Sequence, residues 1–219
     1  MRVTIFGATG STGQLLVERA LGQGHLVTAF ARNPDRLEPR PGLTVVGGAI
    51  DDPDAVGPAV SGADVVISLL GPGRDRSSVP SLVPGMRTIV TAMEAADVKR
   101  LVATLTPSAP DTSDGKDLRV TLLVKAVRFT LPYAYNAVRG MDEVIRSSAL
   151  DWTIVRVPVL HDNPTSLPAV TRSVGEPGSM RLARAGLAAF LLDAAQDPAW
   201  IRRAPLLADT PPSATLEAG

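Results

Sequence analysis

The sequence predicts one α/β domain: a doubly wound parallel sheet with helices on both faces and a small C-terminal elaboration. Three observations carry that prediction. Short β-branched runs alternate with longer amphipathic segments over the first ~150 residues. Several runs, Asp64-Val-Val-Ile-Ser-Leu-Leu among them, are almost continuously apolar, as strands covered on both faces are. A glycine-rich turn also stands directly between the first strand pattern and the first helix pattern.

Taken in chain order, the strands are expected at Arg2–Phe6, Leu26–Ala31, Leu43–Val46, Asp64–Leu69, Arg100–Leu105 and Trp152–Val157. Helices are expected between them at Thr12–Leu21, Pro53–Val60, Pro80–Ala96 and Val120–Ser148. Pro132 should break or kink the last, because proline lacks an N–H and clashes with the preceding turn. After Val157 the composition shifts to Pro, Ser, Thr and Gly through residue 180. A helix over Arg181–Ala195 and a short strand at Ala204–Leu207 then complete the elaboration (158–208), and 209–219 reads as a tail.

Composition narrows the chemistry. The 219 residues suit a single domain with a sizeable core. Lys+Arg and Asp+Glu are both 22, so the formal charge is zero, which argues against a nucleic-acid binder. With no cysteine and two histidines, no disulfide framework, thiolate nucleophile, Cys-based zinc site or three-histidine metal site can form, and no metal is expected. The start lacks the pattern of a signal peptide. Apolar stretches such as Ala185–Leu192 fall far short of the ~18–20 residues of a membrane span. The expectation is a cytoplasmic protein, monomeric or homodimeric, with no membrane or nucleic-acid partner.

The sharpest motif is Phe6-Gly7-Ala8-Thr9-Gly10-Ser11-Thr12-Gly13-Gln14. Following a strand and opening a helix, it has the context in which a glycine loop binds a dinucleotide. Gly7 permits the tight turn, Gly10 lets backbone approach a pyrophosphate, and Gly13 allows close helix–sheet packing. The helix N-terminus then offers free N–H donors to the phosphates. Ser11 and Gln14 also have capping-box spacing, which helix initiation alone would explain. A Gly-x4-Gly-Lys-Ser/Thr phosphate loop and a Gly-x-Ser-x-Gly elbow are both absent. At the end of the second strand the chain reads Ala31-Arg32-Asn33-Pro34-Asp35-Arg36, with no carboxylate closing the strand for a ribose 2′-hydroxyl. Arg32 and Arg36 suit a 2′-phosphate instead, so NADP(H) is the expected cofactor.

These residues resemble the atypical short-chain dehydrogenase/reductase superfamily, in its NAD(P)H-binding group with the biliverdin-IXβ/flavin reductases and NmrA-like proteins. The resemblance covers about residues 1–208. It rests on the glycine loop, Arg32-x3-Arg36-Leu37, Ala63-Asp64-Val-Val-Ile-Ser-Leu-Leu-Gly71, Val98-Lys-Arg-Leu-Val102 and Glu143-Val-Ile-Arg-Ser-Ser-Ala-Leu-Asp-Trp-Thr-Ile-Val-Arg156. It implies a Rossmann-like fold in which Gly10, Ser11 and Thr12 meet the pyrophosphate, Thr9 belongs to the same cofactor-binding loop, and Arg32 with Arg36 meet the 2′-phosphate. Ala49 and Ile50 fall on the adenine side, and Leu70 and Gly71 line the adenosine and ribose. Thr106 falls near the nicotinamide, and Pro158 and Val159 face its carboxamide through their backbone. The chain departs from the group in three places. Gly48-Ala49 stands for the usual Gly-Asp, leaving Asp51, Asp52 or a backbone group for the adenine. Arg184-Ala185-Gly186 stands for Arg-Ala-Asp, and Leu105-Thr106-Pro107-Ser108 leaves the reaction-side hydroxyl open between Thr106 and Ser108.

Tyr135 and Arg139 have the spacing of a Tyr-x3-Lys pair, with arginine for lysine, and share a helix face. Arg139–Glu143 and Asp142–Arg146 pairs at i,i+4 would equally make a solvated ionic face. His161 sits where a proton donor belongs, though a loop histidine without a role explains it as well; His25 reads as structural. The expected function is hydride transfer from NADPH to a flat conjugated acceptor (a flavin, quinone or enone), in a pocket formed by residues 106–118 and 158–180. A non-catalytic NADP(H) sensor and an isomerase or epimerase of the same superfamily are the alternatives.

Overall fold

The structure is a computed structural model that describes residues 1–73, 76–163, 169–176 and 179–210. Strands β1 (Arg2–Phe6), β2 (Leu26–Ala31), β3 (Leu43–Gly47), β4 (Val65–Ser68), β5 (Arg100–Leu105) and β6 (Asp151–Arg156) form a parallel sheet in the order 3-2-1-4-5-6. Helices α1 (Ser11–Gly22), α2 (Pro53–Val60), α3 (Leu82–Ala95), α4 (Leu118–Thr130) and α5 (Pro132–Ser147) lie in the connections. The apolar runs behave as expected: all four residues of β4 are buried, and β1 exposes only Arg2. One face of the sheet packs against α2, α3 and α5 through Val60, Met86, Ile89, Met141 and Ile145. The other packs against α1 through Leu16, Val17 and Ala20.

Residues 158–210 contribute β7 (Val159–His161), β8 (Ala169–Arg172), β9 (Arg181–Ala183), helix α6 (Arg184–Gln196) and β10 (Leu206–Asp209). β10 extends the main sheet parallel to β6, and β8 closes that edge in the antiparallel sense. β7 and β9 pair separately. α6 packs beside α1, with Leu187, Leu191 and Leu192 in the same core as Leu16 and Val17.

Pro132 breaks the last expected helix into α4 and α5, one of the two outcomes its sequence position allows: it occupies the first position of α5, where its missing N–H costs nothing because that group has no intrahelical partner. Two boundary expectations need correction. The expected helix at Arg181 begins at Arg184, since Arg181–Ala183 pair with β7. The last strand runs Leu206–Asp209, so Asp209 belongs to the sheet and not to the tail; residues 211–219 lie outside the described residues. α4 leaves Leu118 79% and Phe129 89% exposed. No helix among the described residues is long and apolar enough to cross a membrane.

Candidate cofactor site

The strand order reverses between β1 and β4, and in open α/β sheets ligands bind at that switch point, beyond the carboxyl ends of the strands. A cleft of about 400 Å³ lies there. Its walls are the segments leaving four strands: Gly7, Thr9 and Gly10 after β1, Ala31 and Arg32 after β2, Ala49–Asp51 after β3, and Leu69–Gly71 after β4. Phe30 forms part of the wall and is braced by Phe6, their rings 4.9 Å apart.

The glycines divide their work by position. Gly7 has φ +84°, in the left-handed region that L residues avoid. The Gly10 amide closes the turn by donating to the Gly7 carbonyl at 3.1 Å. A Cβ on Gly13 would stand 2.2 Å from that carbonyl oxygen, so Gly13 permits the close packing of helix on turn. A Cβ on Gly10 would meet only the same oxygen, at 3.4 Å, so nothing in the fold requires glycine there. The capping-box alternative fails. The N-cap of α1 is Gly10, no side chain caps it, and no acidic residue stands in the first turn. The N-terminus formed by Ser11, Thr12 and Gly13 is thus left to an external anion, which its dipole favours.

Arg32 is exposed on the cleft wall, and Arg36 is exposed one short turn beyond it. Among the described residues neither pairs with a carboxylate. Of the two candidates for the missing adenine-side acid, Asp51 lines the cleft, whereas Asp52 is spent capping α2 by accepting from the Asp54 amide at 3.0 Å. Sequence reasoning missed the outer wall: Gly73, Ser77, Ser78, Ser81 and Leu82 complete the cleft. The Gly71-Pro72-Gly73 turn followed by serines was the only signal for it.

The reaction-side candidates are not gathered in the same way. None of Thr106, Ser108, Tyr135, Arg139, Pro158 and Val159 lines this cleft, and residues 106–118 and 158–180 do not close over it among the described residues. Thr106 is half-buried beyond β5; its Oγ1 lies 3.4 Å from the amide of Ser108, whose own side chain is buried. The Val159 amide donates to the Met180 carbonyl at 3.1 Å, and Pro158 has none, so neither offers a free N–H for a carboxamide. The guanidinium of Arg128, on α4, sits 5.8 Å over the ring of Tyr135, on α5. Arg139 reaches Asp142 at 3.6 Å, not Glu143, because Asp142 is also fixed by Arg146 at 2.7 Å. His161 pairs through Nε2 with Asp209 at 2.7 Å across 48 positions of sequence, a contact no local pattern announces. His25 takes the expected structural place beside the N-terminal ammonium; desolvation, then that positive charge, holds its pKa below the ordinary value.

A buried ion pair near the end of β6 also escaped the sequence reading. Arg156 is fully buried and donates to the Ala204 carbonyl and to Asp114, both at 2.7 Å.

Compared with known proteins, residues 7–198 match the model of a family described as NAD(P)H-binding. The chain belongs to that family. It is 28% identical over 174 residues to a (4-alkanoyl-5-oxo-2,5-dihydrofuran-3-yl)methyl phosphate reductase of Streptomyces griseus, covering 79% of this chain and 53% of the relative. The chain spans roughly a quarter to a half of the length of the curated relatives it matches. Its fold resembles that of a short-chain dehydrogenase/reductase from Veillonella parvula solved with NADP (TM-score 0.77, 21% identity, 95% of this chain and 94% of the other). It also resembles ChuY, an anaerobillin reductase from Escherichia coli (TM-score 0.75, 21% identity, 95% and 97%). The Rossmann-like architecture and the NAD(P)H-binding family expected from the sequence are both present.

Proposed function

We propose that the protein is an NADPH-dependent reductase that passes hydride to a flat conjugated acceptor of the flavin, quinone or enone type. One observation carries the cofactor choice: Arg32 stands uncompensated on the cleft wall at the end of β2, where an NAD-specific site places a carboxylate. The free N-terminus of α1 would take the pyrophosphate, Arg32 and Arg36 the 2′-phosphate, and Asp51 the adenine amino group. The nicotinamide supplies the hydride; the chain orients it and shields one face. Thr106, more open than Ser108, is the hydroxyl we assign to the reaction side.

The acceptor class follows from what surrounds the candidate acid. Arg128 lies over the face of the Tyr135 ring, and Arg139, the residue at the lysine position, is engaged by Asp142 and not held for the phenol. An acceptor that takes its proton from solvent needs no such group. Tyr135→Phe should therefore reduce kcat by less than about tenfold, against the roughly 10²–10⁴ expected of a general acid. Turnover of NADPH with a quinone and flavin panel tests this. A hundredfold loss at unchanged NADPH affinity would move the protein to carbonyl reduction. Binding of NADPH with no turnover of any acceptor would instead make it a redox sensor, the reading favoured by the dispersed reaction-side residues.

Cofactor preference gives a separate test. Arg32→Ala should weaken NADPH binding by one to a few kcal/mol, the size of a charge-assisted hydrogen bond, and leave NADH nearly unaffected. Titration calorimetry measures both, and equal affinity of the wild type for the two cofactors would refute the assignment.

A further inference from the structure

The loop that leaves β5 at Thr106 reaches, at Asp111–Ser113, a second depression of about 500 Å³. It lies toward the β8–β10 edge of the sheet, away from the cofactor cleft, and four arginines line it: Arg146, Arg172, Arg202 and Arg203. Two acids face the same space, and both are engaged. Asp111 lies 3.6 Å from Arg146 and accepts from the Ser113 amide and hydroxyl at 3.0 and 2.7 Å. Burial works to raise its pKa, but those hydrogen bonds and the charges of Arg156 and Arg146 hold it below the ordinary value, so it remains ionised. Glu176 accepts from the Ser173 amide at 3.0 Å. Arg146 is compensated in turn by Asp142.

The other three cations form no ion pair among the described residues, and Glu176, bonded only to a neutral amide, is the one unpaired carboxylate that faces them. Arg172 spends both terminal nitrogens on neutral carbonyl oxygens, those of Glu176 and Ser179, and its Nε is buried without a partner. Arg202 and Arg203 are exposed and pair with no carboxylate. Arg202 is moreover a non-glycine residue at φ +59°, a left-handed conformation that persists only where the surroundings enforce it. Its amide is fixed to the Trp152 carbonyl at 2.7 Å, and its guanidinium lies 5.8 Å from the Trp152 ring. Three unpaired guanidiniums against the single carboxylate of Glu176 leave the concavity with a net positive charge that favours a further anion.

We propose that this depression binds a compact polyanion, a small molecule carrying two phosphate groups or several carboxylates. Guanidinium forks match such groups two hydrogen bonds at a time. The volume suits a small molecule, and the chain as a whole carries no basic surplus for a nucleic acid. Because Asp111–Ser113 share a loop with Thr106, an anion seated here would also fix the segment that borders β5.

Pyrophosphate titrated calorimetrically into the protein saturated with NADP⁺ tests the site while the cofactor cleft is filled. The Gly10→Val protein repeats the test with that cleft disabled, independently of the proposed reaction. One binding event is expected in both, weakened at least tenfold by the double substitution Arg202→Gln/Arg203→Gln, whose exposed side chains leave the circular dichroism unchanged. Absence of binding overturns the proposal. So does binding that the double variant retains, and so does sulfate binding as tightly as pyrophosphate, since a diffuse positive patch would not distinguish them.

Discussion

Gly10→Val is expected to abolish NADPH binding while leaving the fold intact, and Gly13→Ala, three residues on, to prevent stable folding. The two glycines look alike in the sequence but meet different neighbours. At position 13 even a methyl group stands 2.2 Å from the Gly7 carbonyl oxygen and 2.8 Å from backbone of Ala8, atoms that cannot move without opening the turn. A clash with the backbone of two successive residues belongs with the overpacking and strain changes that exceed about 4 kcal/mol, most of the stability of a domain at the low end of the usual range. At position 10 the nearest atom is 3.4 Å away and the backbone is extended (φ −74°, ψ 162°), so a branched side chain fits the free protein. It would then occupy the space at the mouth of α1 that a pyrophosphate needs. Thermal melts followed by circular dichroism and calorimetric titration with NADPH check both halves. A cooperatively folded Gly13→Ala protein with a wild-type melting temperature, or NADPH binding by Gly10→Val, would overturn the account.

Asp114→Ala should destabilise the protein by about 3 kcal/mol, because it leaves the fully buried Arg156 guanidinium without its direct partner. Asp111 still contributes negative charge nearby, which keeps the cost at the low end of the range for such a loss. Replacing both partners with apolar residues, Asp114→Leu with Arg156→Met, should recover most of the stability, since the desolvation of both charges is removed with their attraction. Urea denaturation of the single and double variants measures the difference. A single variant as stable as the wild type would mean that solvent or Asp111 carries the charge.

The parts legible in the sequence were those with a local period or a local constraint. Strands β1 and β2 match their expected bounds, as apolar runs between turn residues allow, and the glycine turn announced the junction of β1 and α1 through residues six positions apart. Arg32 could be placed because it directly follows a strand. What stayed hidden depends on contacts between distant segments. β7 and β9 are three residues each and exist by pairing with one another, so neither shows an alternation of its own. Arg156 reads as the polar end of an apolar strand until Asp114, 42 positions away, is brought against it. Tyr135 and Arg139 had helical spacing in their favour, but spacing fixes only that two residues share a face, not what that face meets. Here it meets Arg128 and Asp142.

Every described residue of the cofactor cleft belongs to positions 7–82, yet the helix that opens the cleft rests on α6, the last α-helix among the described residues. During synthesis the wall of the cleft therefore leaves the ribosome long before α1 acquires its cover. Until residues 184–196 emerge, Leu16, Val17 and Ala20 lack the Leu187–Leu192 surface that buries them. The cleft is thus translated before the helix that covers α1, and a nascent chain halted before residue 184 would leave the apolar face of α1 without that cover.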